Sequence, residues 1–212
     1  MGFSRGAVRE SAGEFGPAWM MVLSRLSATG AHRAHFHPQI TFTMALDTLH
    51  DLFVHELRDL YDAEQQIITG LPLMAQAAHS DSLRKLFEHH IEETRDQIDR
   101  LYELFEALGV PFTGRSCKAM QGLLAEARET IQEEADPEVL DAALIVAAQK
   151  IEHYEIAGYG SVRTFARELG YKDAVRLLEK TLKEESAADE KLTRAAEGRV
   201  NAKAATADQA SV

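Results

Sequence analysis

Residues 144–169 read LIVAAQKIEHYEIAGYGSVRTFAREL, and this stretch decides the fold. In steps of three and four, Leu144, Ala148, Ile151, Glu155, Gly158, Val162, Phe165 and Leu169 share one face of a helix about seven turns long. That face is apolar except at its middle, where Glu155 stands. A single acid on an apolar stripe usually reaches water at the stripe's edge. Sunk without a partner it costs several kcal/mol.

Three more segments repeat the pattern. Before it lie Leu57, Leu60, Glu64, Ile67 and Leu71, then Leu83, Leu86, His90, Glu93, Gln97, Leu101, Leu104 and Leu108. After it come Leu178, Leu182, Glu185, Asp189 and Leu192. Each seam carries a carboxylate in mid-helix, and basic residues are scarce on all four. Four such acids at one level repel one another unless cations intervene. Two divalent ions balance four carboxylates, which is the logic of a di-metal carboxylate site inside a helix bundle. Glu64, Glu93, Glu155 and Glu185 are the first candidate ligands.

The punctuation fixes the helix order. The first long helix starts near Asp47, read as its N-cap, and Pro72 inside it predicts a kink or short break. His79, Ser80 and Asp81 make a turn, and the second helix ends at Gly109 with Pro111 following. A shorter helix covers about 118–133. Asp136-Pro137 opens the third long helix, which stops at Gly170, and the fourth spans about 172–196. The long link between the second and third helices, carrying the short extra one, predicts an all-α, ferritin-like four-helix bundle over residues 46–196. A shift of 91 residues places Glu64 on Glu155, Leu71 on Val162 and Leu101 on Leu192, as a pseudo-twofold bundle requires. The same shift pairs Glu93 with Glu184, whereas the fourth seam puts Glu185 inside; the seam's own periodicity is preferred.

The rest of the composition narrows the partners. The 212 residues carry 34 acids against 23 bases, a net charge of -11, which argues against nucleic acid. No apolar run is long enough to span a membrane. A single cysteine, Cys117, fits a reducing compartment. Residues 1–45 lack the helical periodicity; residues 1–43 hold four arginines against two acids, and a further methionine, Met44, stands just before the periodic pattern begins. They read as a flexible or mis-started extension, and residues 197–212 as a frayed tail.

Residues 52–66 (LFVHELRDLYDAEQQ), 92–94 (EET), 116–120 (SCKAM), 151–159 (IEHYEIAGY) and 184–192 (EESAADEKL) resemble the YciF-like bacterial stress proteins. The resemblance implies a ferritin-like domain, a cytoplasmic setting, a homodimer, and a dinuclear centre with iron as first choice and manganese or zinc as alternatives. The wider ferritin-like superfamily places a single Glu on helices one and three and Glu-x-x-His on helices two and four. Here Asp96 follows Glu93 at that spacing and Ala188 follows Glu185, and the last histidine of the chain is His153. His90 is the candidate nitrogen ligand, ahead of His153, while Glu152 and Asp189 offer further oxygens. The site is therefore expected to be oxygen-rich.

Tyr154 and Tyr159 flank Glu155, and Tyr61 lies one turn before Glu64. Such phenols hydrogen-bond ligand carboxylates or, less often, carry an electron. Two functions remain open: redox chemistry with oxygen or peroxide under stress, and a metal-binding or structural stress protein without turnover.

Overall fold

The computed structural model describes residues 46–207 and is helical, with no strand among the described residues. Helix α1 spans Leu49–Ala77, α2 Asp81–Leu108, α3 Lys118–Gln132, α4 Pro137–Glu168 and α5 Lys172–Ala195. The expected extension over residues 1–45 lies outside the described residues.

Local chemistry explains the ends. Thr48, rather than Asp47, caps α1: its hydroxyl accepts from the Asp51 amide at 3.1 Å, and the Asp51 carboxylate accepts from the Thr48 amide at 2.9 Å. This reciprocal box fixes two amides that Asp47, one residue earlier, cannot reach. No break occurs at Pro72. Its ring lies on the exposed face of α1 while Leu71, Met74 and Ala75 pack inside, so burial outweighs the one lost hydrogen bond. Gly109 takes φ 67° and ends α2 in the left-handed conformation. Asp136 caps α4, with Pro137 in its first turn.

Helix α1 lies beside α2 and α4, and α5 lies beside the same two. His79 of the first turn meets Asp141, Glu64 meets Tyr159, and His50 meets Tyr171, so α1 and α4 run antiparallel. Since α1 and α2 form a hairpin, α2 and α4 point the same way. The link between them must therefore travel the length of the bundle, and α3 rides on it against α1 and α4. Two glycines permit the closest approaches. A Cβ on Gly70 would sit 2.5 Å from Leu124 of α3, and one on Gly158 would sit 2.7 Å from Leu60 of α1.

The core is split. One apolar cluster, around Ile67, Leu71, Met74, Phe87, Met120 and Leu144, fills the end covered by α3. The other, around Phe53, Leu57, Leu101, Phe105, Val162 and Leu178, fills the opposite end. Each fully buried side chain of this size contributes about 1.5–3 kcal/mol. Between the clusters lies a polar layer.

Among the described residues the chain stays helical past Ala195. A π-turn at Ala196–Val200 leads into a short helix, α6, at Asn201–Ala204. Val200 buries itself in the α3-end cluster, and that burial holds a segment whose composition predicts a loose tail. Among the described residues no helix is long and apolar enough to cross a membrane.

Candidate metal centre

The polar layer is built from four helices. Helix α1 supplies Glu64, α2 supplies His90, Thr94 and Gln97, α4 supplies Glu152 and Glu155, and α5 supplies Glu185; all are buried. His90, Glu152, Glu155 and Glu185 each offer a ligand atom, and those atoms lie within 4.8 Å of one another. Glu64 adjoins them, accepting a hydrogen bond from Tyr159 Oη.

His90 is the hinge of the arrangement. Its Nδ1 lies 3.3 Å from Glu93 Oε2, and as donor there it leaves Nε2 as the acceptor nitrogen. That Nε2 is 3.3 Å from Glu152 Oε1 and 3.6 Å from Glu185 Oε2, with no hydrogen bond to either. A carboxylate behind an imidazole is the usual way to fix the tautomer of a metal-binding histidine. Gln97 Nε2 donates to Glu185 from the other side and holds that carboxylate in the layer.

The electrostatics show a layer short of positive charge. Eight buried side-chain polar atoms among the described residues lack a hydrogen-bond partner, and seven belong to Glu64, His90, Gln97, Glu152, Glu155 and Glu185. Glu155 has a partner for neither oxygen. Burial raises the Glu155 carboxyl well above its ordinary range, and the charges of Glu64 and Glu152 push it further. Burial does the same to Glu185, reinforced by Glu155, Glu152 and Glu64. Glu64 is raised to about 7 by burial, against the opposing pull of the Tyr159 hydrogen bond and of His90. Burial also raises Glu152. His90 is raised as well, from the opposite cause: burial pulls it down, yet Glu152, Glu93 and Glu64 together hold it above its usual value.

Carboxylate oxygens plus one imidazole nitrogen form a hard, oxygen-rich donor set that suits first-row divalent cations. His90, Glu152, Glu155 and Glu185, each of which carries an unpartnered atom, bring ligand atoms within 4.8 Å of one another. The residues present fit a metal centre.

Not every candidate sits where its spacing suggests. Glu93 lies at the rim, with its side chain 19% exposed, facing His89, His90 and Lys191. Asp189 also stands aside, accepting from Gln149 at 3.0 Å and lying 3.4 Å from His153. The true inner faces are rotated by a fraction of a turn: Phe87 and Thr94 replace Leu86 and Glu93 on α2, and Thr181 and Ala188 replace Leu182 and Asp189 on α5. Glu185 is fully buried, as the fourth seam requires, while Glu184 lies outside it and receives both Nη atoms of Arg100, at 2.7 and 2.9 Å. Gln97 already stands on the second seam, whereas Thr94 is legible only through the repeat, being the residue 91 before Glu185.

A second buried polar cluster lies nearby. Asp59 accepts from Arg115 Nε at 2.6 Å and from Tyr154 Oη, whose oxygen is 2.9 Å from Cys117 Sγ. Tyr154 thus serves Asp59 rather than a residue of the central layer, and Tyr61 packs against Phe105 and Phe112. Only Tyr159 meets an acid of the layer.

Fold and site together define a ferritin-like four-helix bundle enclosing a layer of carboxylates and one histidine. The family model described as a domain of unknown function, DUF892, matches residues 48–205, and the chain belongs to that family. Protein YciF of Escherichia coli (strain K12) is 46% identical over 162 residues, covering 76% of this chain and 98% of that protein. The crystal structure of the E. coli stress protein YciF matches with a TM-score of 0.71, covering 73% of this chain and 98% of its own. YcfI from Rhodopseudomonas palustris, at 47% identity, matches with a TM-score of 0.69, covering 72% of this chain and 97% of that one.

Proposed function

We propose that the layer holds two divalent cations, iron first and manganese or zinc as alternatives, and that the protein uses them in redox chemistry with oxygen or peroxide during stress. The observation that carries this reading is the convergence of unpartnered buried atoms on Glu64, His90, Glu152, Glu155 and Glu185. When bound, the metal pair supplies one-electron steps and Lewis acidity that no side chain here offers. The protein's own part is to hold five ligands ready. Tyr159 orients Glu64, Gln97 orients Glu185, and Glu93 orients His90. Two apolar clusters exclude water on either side.

Elemental analysis of protein purified without chelator or added metal identifies the ions and their number. Peroxide added anaerobically to the ferrous protein then tests turnover: repeated consumption supports the redox reading, and one stoichiometric oxidation or none removes it. The second reading is a bound metal pair that stabilises the bundle without turnover. It draws on the single histidine of the layer and on the structural role suggested for the Rhodopseudomonas palustris relative. In either case we place the protein in the cytoplasm as a homodimer, which light scattering of the purified chain tests.

A further inference from the structure

The reading of the layer as a metal centre leaves open how an ion gets in. The superfamily pattern expects a histidine three residues after Glu185, and this chain has Ala188 there. The small side chain leaves a crevice between α2 and α5. It is lined by Leu86, Phe87, Ala188 and Leu192 and is about 10 Å³ in volume, room for one water-sized body. The buried His90 and Glu152 line it too, together with His89, Glu93 and Lys191.

Exposure is graded along this line. The His89 side chain is 60% exposed, that of Glu93 19%, and that of His90 5%. His89 and Glu93 stand one turn apart on α2, with Nε2 and Oε1 3.2 Å apart. That spacing lets one imidazole and one carboxylate grip a single cation from the same helix face. Lys191 Nζ lies 3.7 Å from the same Glu93 oxygen. An ion arriving at His89 must therefore compete with the ammonium for Glu93. A divalent cation, with twice the charge, wins that competition at short range.

We infer that His89 and Glu93 form an outer, transient binding site for a divalent cation, latched by Lys191, through which the inner centre is loaded. The inference rests on the metal reading of the layer. Ions pause at the outer site, shed water against Glu93, and pass along the crevice to His90 and Glu152. Lys191 slows both entry and exit.

The test uses the full chain stripped of metal by chelation, with zinc as the probe. Bound zinc is measured at equilibrium, and loading and release are timed with a chromogenic chelator. His89→Ala is expected to slow loading by roughly tenfold and Lys191→Met to speed loading and release by a similar factor, with equilibrium stoichiometry equal to wild type in both. Lys183→Met, the same charge change on α5 away from the crevice, leaves both rates unchanged. Equal rates in wild type, His89→Ala and Lys191→Met overturn the port while leaving the centre standing. So does an acceleration by Lys183→Met as large as that by Lys191→Met. A wild-type chain that binds no zinc at equilibrium overturns the centre itself, and the port with it.

Discussion

Asp59 and Glu155 are carboxylates buried in the same antiparallel helix pair, under opposite conditions. Asp59 has a hydrogen-bonding partner for each oxygen. Burial alone would raise its carboxyl, but hydrogen bonds from Tyr154 and Arg115 and the guanidinium charge hold it below its ordinary value. Glu155 has no partner for either oxygen and is driven far upward. A fold that can neutralise one buried acid within its own chain has left a whole layer unneutralised a short way off. The difference separates an acid that the chain itself satisfies from acids that it leaves unpartnered. It also predicts that the two clusters respond differently to metal, pH and mutation.

The largest contrast concerns metal and pH. A tightly bound ion pair at saturating concentration stabilises the fold by about 4 kcal/mol, which is a melting temperature higher by roughly 10 °C. Chelation should remove that increment. In the stripped protein the raised Glu64 carboxyl keeps a proton that the unfolded chain has released. Stability therefore falls as pH rises from about 4.5 to about 7. The loaded protein slopes the other way over that interval, because cations and protons compete for the same oxygens. Thermal melts of both forms across this range check the opposed signs; parallel slopes would break the comparison.

Adjacent acids on α5 give the next contrast. Glu184→Ala leaves the largely buried Arg100 guanidinium with only Thr181, and should cost about 3 kcal/mol with metal content intact. Glu185→Ala should do the reverse: metal binding is lost, stability ceases to respond to added metal, and the stripped protein gains about 1 kcal/mol from relieved repulsion. Denaturant titrations with and without zinc separate the two. Loss of metal in Glu184→Ala alone would mean that the inner register of α5 is wrong.

Asp59→Asn should lower stability by about 2 kcal/mol, equally with and without metal, since it leaves the Arg115 charge unmatched. Its lowered carboxyl value gives a stability contribution present at neutral pH and lost as pH falls below about 4, the opposite sense to the central layer. The smallest effect is expected for Cys117→Ser. Serine can cap α3 as the thiol does, accepting from the Met120 amide, and can still meet Tyr154. A change under about 1 kcal/mol in a denaturant titration, with metal content unaltered, is the expected outcome.

Most of the architecture was legible because long helices write their inner face every third or fourth residue. Glu64, Glu155 and Glu185 could each be picked out, because Leu60 and Ile67, Ile151 and Val162, and Leu182 and Leu192 stand on either side of them along their own seams. Helix α2 was less transparent. Along its middle two turns only Ile91 and Ile98 are apolar and neither is fully buried, so they do not mark the phase, and the seam points to Glu93 rather than Thr94. The repeat resolves this point. Glu93 and its counterpart Glu184 both lie outside, each facing a base, while Thr94 and its counterpart Glu185 lie inside. The Asp59 cluster could not be read at all, because Asp59 sits off the apolar seam and Arg115 and Cys117 arrive from the crossover more than fifty residues later. The helical turns at 196–204 could not be read for a similar reason. One valine, Val200, anchors them, and a single residue makes no period.

Asp141 carries a last consequence, for the order in which the chain assembles. Its two carboxylate oxygens accept from the backbone amides of His79 and Ser80, at 2.7 and 2.8 Å, and so close the turn between α1 and α2 from a helix sixty residues downstream. A turn with ordinary local chemistry would close by itself as soon as its hairpin formed. This one waits, its two amides turned to water until α4 docks. The expected order is that the hairpin forms on its apolar stripe and local bonds, and that these two amides are satisfied later. Asp141→Ala should accordingly speed unfolding and leave the refolding rate nearly unchanged in stopped-flow experiments, the signature of a contact absent from the transition state.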